Sequence, residues 1–99
     1  FGYLAAGKID GFASAGNTGA MFVGGYYSVK AIEGILRPAI STLVPRNDGG
    51  VTVLLDVGAN ADCKPDVLYQ FGILGSLFSE HVCGIKQPKV SLLNLGEEK

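Results

Sequence analysis

The sequence predicts an α/β fold with a mixed sheet, and three observations carry that prediction. Val51-Thr52-Val53-Leu54-Leu55 is almost continuously apolar, the pattern of a central strand covered on both faces. Val67, Phe71, Leu74, Phe78 and Val82 recur at spacings of four, three, four and four, which is one helical stripe. Three apolar runs end alike, in a small polar residue, one apolar residue and a glycine, with an amide or acid close behind. They are Ser14-Ala15-Gly16-Asn17, Asp56-Val57-Gly58-Ala59-Asn60 and Asn94-Leu95-Gly96-Glu97-Glu98.

The elements follow in chain order. Phe1 to Ala6 reads as a helix tail that Gly7 ends. Lys8 to Gly11 is a turn, and Phe12-Ala13 a short strand leading into the first polar loop. Asn17 or Thr18 caps a helix running to about Lys30. Gly24-Gly25 in its middle costs roughly 1 kcal/mol per glycine, and close approach of another backbone is the expected return. Tyr26 and Tyr27 are packing residues in this reading. Gly34 breaks the pattern. Pro38 pushes Arg37 out of helical space, so Leu36 to Ala39 is extended.

Ile40 to Val44 and Val51 to Asp56 are strands joined by a short polar loop, so they pair antiparallel. Val57 to Lys64 is a loop. Pro65 suits the first turn of the next helix, which Gly84 ends. Asp66, Tyr69, Ser76 and Glu80 take its outer side. Val90 to Leu95 is the last strand, expected to lie parallel to the Val51 strand across a right-handed crossover.

Composition narrows the function classes. The chain has 99 residues, 8 basic and 9 acidic, for a net charge of −1. One domain at most is expected. Nucleic-acid binding is disfavoured, because it requires a basic face. Hydrophobic content of 47% against 17% charged is more apolar surface than so short a chain can cover alone. The chain starts at Phe1 and stops just after an apolar run, so residues 1–99 are expected to be a single partial domain, the interior piece of a longer protein. Cys63 and Cys83 read as two free thiols in a reducing compartment. With His81 the only histidine, no metal site is expected. Gly11 to Val29 is uncharged and nominally long enough for a membrane span. Ser14, Gly16, Asn17, Thr18 and Gly19 inside it would be costly in lipid, so that reading is rejected.

The three loops suggest one small-anion site. In open α/β sheets ligands bind in the crevice beyond the carboxyl ends of the strands. Gly16 and Gly19 let the backbone turn and come close to a ligand, and the helix start beyond them offers bare N–H groups to an anion. The alternative is plain turn chemistry, since glycine after a strand is common punctuation. No Ser/His/Asp or Cys/His set is evident. Gly16-Asn17-Thr18-Gly19 lacks the spacing of a dinucleotide fingerprint. Asp56 reads as a structural acceptor for loop N–H groups, Arg37 is the best cationic candidate, and the roles of Glu97 and Glu98 stay open.

Ser14 to Ala20, Arg37-Pro38-Ala39, Leu54 to Asn60 and Leu92 to Glu98 resemble, in order and spacing, the signature blocks of the PlsX-type phosphate acyltransferases. The resemblance spans nearly the whole chain; Ala61 to Lys64 departs from it. It implies a three-layer α/β/α sandwich with a mixed, mostly parallel sheet, related to isocitrate and isopropylmalate dehydrogenases. It implies transfer of a fatty acyl group from acyl carrier protein to inorganic phosphate, giving acyl phosphate for phospholipid synthesis without a cofactor. It further implies a bacterial cytoplasmic homodimer, peripherally membrane-associated through parts not present here.

On this reading Asn17 and Asn60 are the catalytic candidates. Ser14, Gly16, Thr18, Gly19, Arg37, Asp56, Gly58, Asn94, Gly96 and Glu97 are the candidates for binding phosphate or substrate. Another phosphate- or nucleotide-binding enzyme of a related α/β fold, such as an acetyl-phosphate-forming transferase or a dehydrogenase, stays open, as does a non-catalytic fragment.

Overall fold

A computed structural model describes residues 1–94 and 96; Leu95, Glu97, Glu98 and Lys99 lie outside the described residues. The order is α1 (Gly2–Ala5), α2 (Thr18–Ser28), β1 (Ser41–Pro45), β2 (Val51–Leu55) and α3 (Pro65–His81). It is a small α/β arrangement with, among the described residues, one two-stranded antiparallel sheet.

The hairpin forms for the expected reason. Too few residues separate the two apolar runs for a crossover, so the chain must double back. Ser41 pairs with Leu55, Leu43 with Val53 and Pro45 with Val51. Arg46 N–H donates to Gly50 O at 2.8 Å, and the Asp48 carboxylate accepts from Gly50 N–H at 2.8 Å. Gly49 takes φ +85°, a left-handed conformation that glycine adopts without penalty. The Arg46–Asp48 ion pair across this turn is exposed, which limits its worth.

α3 begins at Pro65, whose missing N–H costs nothing at a first turn, with Asp66 beside it in favourable relation to the helix dipole. It packs against β2, and Gly75 brings the helix over Leu55. Val67 and Phe71 are buried, as is Ser79 two turns further along the helix. The predicted stripe holds through its first turns but not at Val82, which is 67% exposed because it lies beyond the last helical residue.

α2 starts at the predicted place. Asn17 Oδ1 accepts from Ala20 N–H at 2.9 Å, a side-chain cap. The helix stops at Ser28, short of Lys30, which has φ +70°. What comes close to Gly24 is not another backbone but the Phe1 ring, and a Cβ on Gly24 would stand 2.8 Å from its Cδ2. Tyr26 and Tyr27 meet edge to face at 5.4 Å, and both are exposed.

Two predicted strands do not form among the described residues. Phe12-Ala13 is irregular, and the Phe12 ring packs on Phe1 at 4.8 Å instead of joining a ladder. Residues 90–94 are also irregular, so the parallel pairing with the Val51 strand and its right-handed crossover are absent from the described residues. Gln87 at φ +52° redirects the chain, and Val90 settles near Gly72 of α3. A strand exists only where a partner supplies its hydrogen bonds, and apolar character alone does not provide one.

Candidate functional site

The best-defined polar cluster lies where the corner before β1 meets the loop after β2. Asp56 Oδ1 accepts from Ile40 N–H at 2.8 Å, and Oδ2 accepts from Asn60 N–H at 2.7 Å. The Asn60 amide donates to Pro38 O at 3.0 Å and to Asp56 Oδ2 at 3.3 Å. Its oxygen accepts from Arg37 Nη1 at 3.4 Å, a long contact. Both Asn60 side-chain donors are therefore spent inside the protein. Partial burial pushes the Asp56 carboxyl up. The hydrogen bonds from Ile40 and Asn60 outweigh it and hold the group below the usual carboxylate range.

The same corner is also held from α3. Gln70 on α3 accepts from Leu36 N–H at 2.8 Å and donates to Gly34 O at 2.9 Å. Sequence reasoning missed Gln70, although it carried a signal. Position 70 falls on the Val67–Phe71–Leu74 face, and an amide on a buried face needs partners for both its ends.

The first loop is organised within itself. Ser14 Oγ accepts from Gly16 N–H at 2.9 Å, and the Asn17 side chain is the helix cap. The N–H groups of Thr18 and Gly19 have no acceptor among the described residues. The third loop repeats the serine arrangement, with Asn94 Oδ1 accepting from Gly96 N–H at 2.8 Å. Gly58, at φ +124°, turns the second loop in a conformation that suits glycine alone.

The structure thus brings Arg37, Asp56 and Asn60 together. Among the described residues no hydrogen bond links this group to the Ser14–Gly19 loop or to Asn94 and Gly96. Glu97 lies outside the described residues. His81 sits in the last turn of α3, exposed, and among the described residues no hydrogen bond joins it to a serine or cysteine. No cluster of three or more metal-ligating side chains occurs among them either. No helix there is long and apolar enough to cross a membrane.

Chemically, the corner offers a guanidinium on a stiffened backbone, and the start of α2 offers two uncommitted backbone donors. Both suit an oxyanion.

Comparison with known proteins adds the following. The model of the family described as "Fatty acid synthesis protein" matches residues 2–99. A protein of Idiomarina loihiensis named phosphate acyltransferase is 45% identical over 95 residues, covering 96% of this chain and 28% of its own length. A protein of the same name from Endomicrobium trichonymphae is 50% identical over 95 residues, with the same coverage of both chains. One from Bacillus licheniformis is 48% identical over 97 residues, covering 98% of this chain and 29% of its own. The chain spans under a third of the length of these curated relatives.

Proposed function

This chain belongs to the fatty acid synthesis protein family, and from that premise we propose that its full-length protein is a phosphate acyltransferase. It moves a fatty acyl group from the thioester of acyl carrier protein to inorganic phosphate, supplying acyl phosphate for phospholipid synthesis. The observation that carries the reading is identity of 45–50% with proteins of that name across nearly the whole chain.

Phosphate needs little activation. Near neutral pH it is already an anionic nucleophile, so no side chain must be turned into one. A phosphate oxygen forms a bond to the thioester carbonyl carbon, the carbon–sulfur bond breaks, and the proton of hydrogenphosphate ends on the carrier thiol. The protein's task is to hold the anion close to the carbonyl and to stabilise the oxyanion that develops.

We assign the holding of phosphate to Arg37 and to the backbone donors at Thr18 and Gly19, with Ser14, Gly16 and Asn17 shaping that loop. The Gly58–Asn60 loop and the Asn94–Gly96 turn complete the site in this reading. One well-aimed donor to the oxyanion is worth roughly 2.7–4 kcal/mol in the transition state.

In the full-length protein we assign these residues to the centre of a three-layer α/β/α sandwich with a mixed, mostly parallel sheet. Support comes from the uncovered apolar surface: Val90, Leu92 and Leu93 are 60–76% exposed, as strand residues lacking neighbours would be. Homodimerisation, a cytoplasmic location and peripheral membrane association through parts outside this chain rest on the resemblance of the sequence blocks.

The test uses the full-length protein with acyl–acyl carrier protein. Inorganic phosphate should drive release of free carrier protein and formation of an acyl phosphate that hydroxylamine traps as the hydroxamate. Release at the same rate without phosphate would overturn the assignment.

A further inference from the structure

We propose that Gln70 is a positioning residue for the anion site, acting through Arg37; the inference rests on the phosphate-transfer reading above. The segment from Gly34 to Ile40 is not part of a helix or strand, yet side chains from outside it bond its backbone at four points. Gln70 takes Gly34 O and Leu36 N–H, in the two-point manner of a strand partner. Asn60 takes Pro38 O, and Asp56 takes Ile40 N–H. The anchors come from two elements, α3 and the loop after β2, and in sequence they bracket Arg37.

Arg37 lies between them, exposed, and within the segment it has the one charged side chain between the two sets of anchors. Among the described residues its guanidinium bonds only Asn60 Oδ1, at 3.4 Å, so most of its donors are not spent on them. A loop left to itself would let a long side chain wander, at an entropic cost on every binding event. Fixing the backbone on both sides of Arg37 removes part of that cost in advance. Pro38 adds to the effect by fixing its own φ and restricting Arg37. A carboxylate so near an anion site would repel the ligand if it were free. Asp56 instead accepts three N–H bonds from Ile40 and Asn60, which partly neutralise its charge.

The proposal makes a distinctive kinetic demand. Gln70 touches no reacting atom, so among the kinetic constants its loss should act on the capture of phosphate. In the full-length protein, Gln70→Ala should raise KM for inorganic phosphate roughly tenfold, equivalent to about 1.4 kcal/mol of lost binding, and change kcat less than about twofold. Arg37→Ala should do the same. In the Arg37→Ala background Gln70→Ala should then add almost nothing, because the group it positions is gone. Gln70→Glu, which retains the acceptor for Leu36 N–H and loses the donor to Gly34 O, should fall between. It carries the comparison if Gln70→Ala does not fold.

Unchanged KM for phosphate in either Gln70 variant, with only the melting temperature lowered, would overturn the proposal. So would independent, additive effects of the Gln70 and Arg37 substitutions. Wild-type protein that releases carrier protein without regard to phosphate would instead overturn the functional assignment beneath it, and this inference with it.

Discussion

Asn60 holds Pro38: its side-chain amide donates to the proline carbonyl at 3.0 Å, across 22 residues of sequence. That bond, with the paired bonds of Asp56, joins the corner before β1 to the loop after β2.

Asn60→Ala removes this donor and leaves the Pro38 carbonyl and Asp56 short of a partner. The expected loss of stability in the full-length protein is about 1–3 kcal/mol. Urea unfolding measures it, with an unchanged slope indicating that the unfolded state is unaffected.

Asp56 makes stability depend on pH in one direction. Its folded-state pKa lies below the usual value, so the unfolded chain binds the proton more readily. Its contribution is therefore complete above the ordinary carboxylate range near pH 3.9, and it is lost as pH falls through the lower folded value. The stability difference between wild type and Asp56→Asn should be constant from neutral pH to about 5 and shrink below about 4. A difference that grew in acid would reverse the assignment.

Asn17→Ala removes the cap on Ala20 N–H. A loss of about 0.5–2 kcal/mol is expected, and Asn17→Ser or Asn17→Asp should recover most of it. If Asn17 also shapes the phosphate loop, turnover by the alanine variant falls and the serine variant retains it, while the aspartate variant recovers the stability but loses turnover, because its added charge repels phosphate.

The 99 residues alone should unfold without a sharp transition and bind the dye ANS. Val67 and Phe71 are the buried apolar side chains of the described residues, worth about 1.5–3 kcal/mol each. Ordering the backbone costs about 1–2 kcal/mol per residue. Calorimetry showing a cooperative, high-temperature melt would contradict this.

The local elements were legible because their determinants are local. The cap at Asn17, Pro65 at a first turn and the short link between two apolar runs each act within a few residues. The strands expected at Phe12-Ala13 and from Val90 were not, because a strand is a property of a pair. Val82 fits the helical spacing but falls just past the point where the helix ends.

The amides show most clearly where reading the sequence stops. The sequence by itself determined the hairpin, the three helices and the polar turns, because spacing acts through the chain's own neighbours; the family was legible only through the likeness of its signature blocks. Only the tertiary structure decided that Gln70 grips Gly34 and Leu36, up to 36 residues away, and that Asn60 spends its donors on Pro38 and Asp56. An amide carries both a donor and an acceptor and accepts many partners. The packing of α3 on β2 selects which ones come within reach.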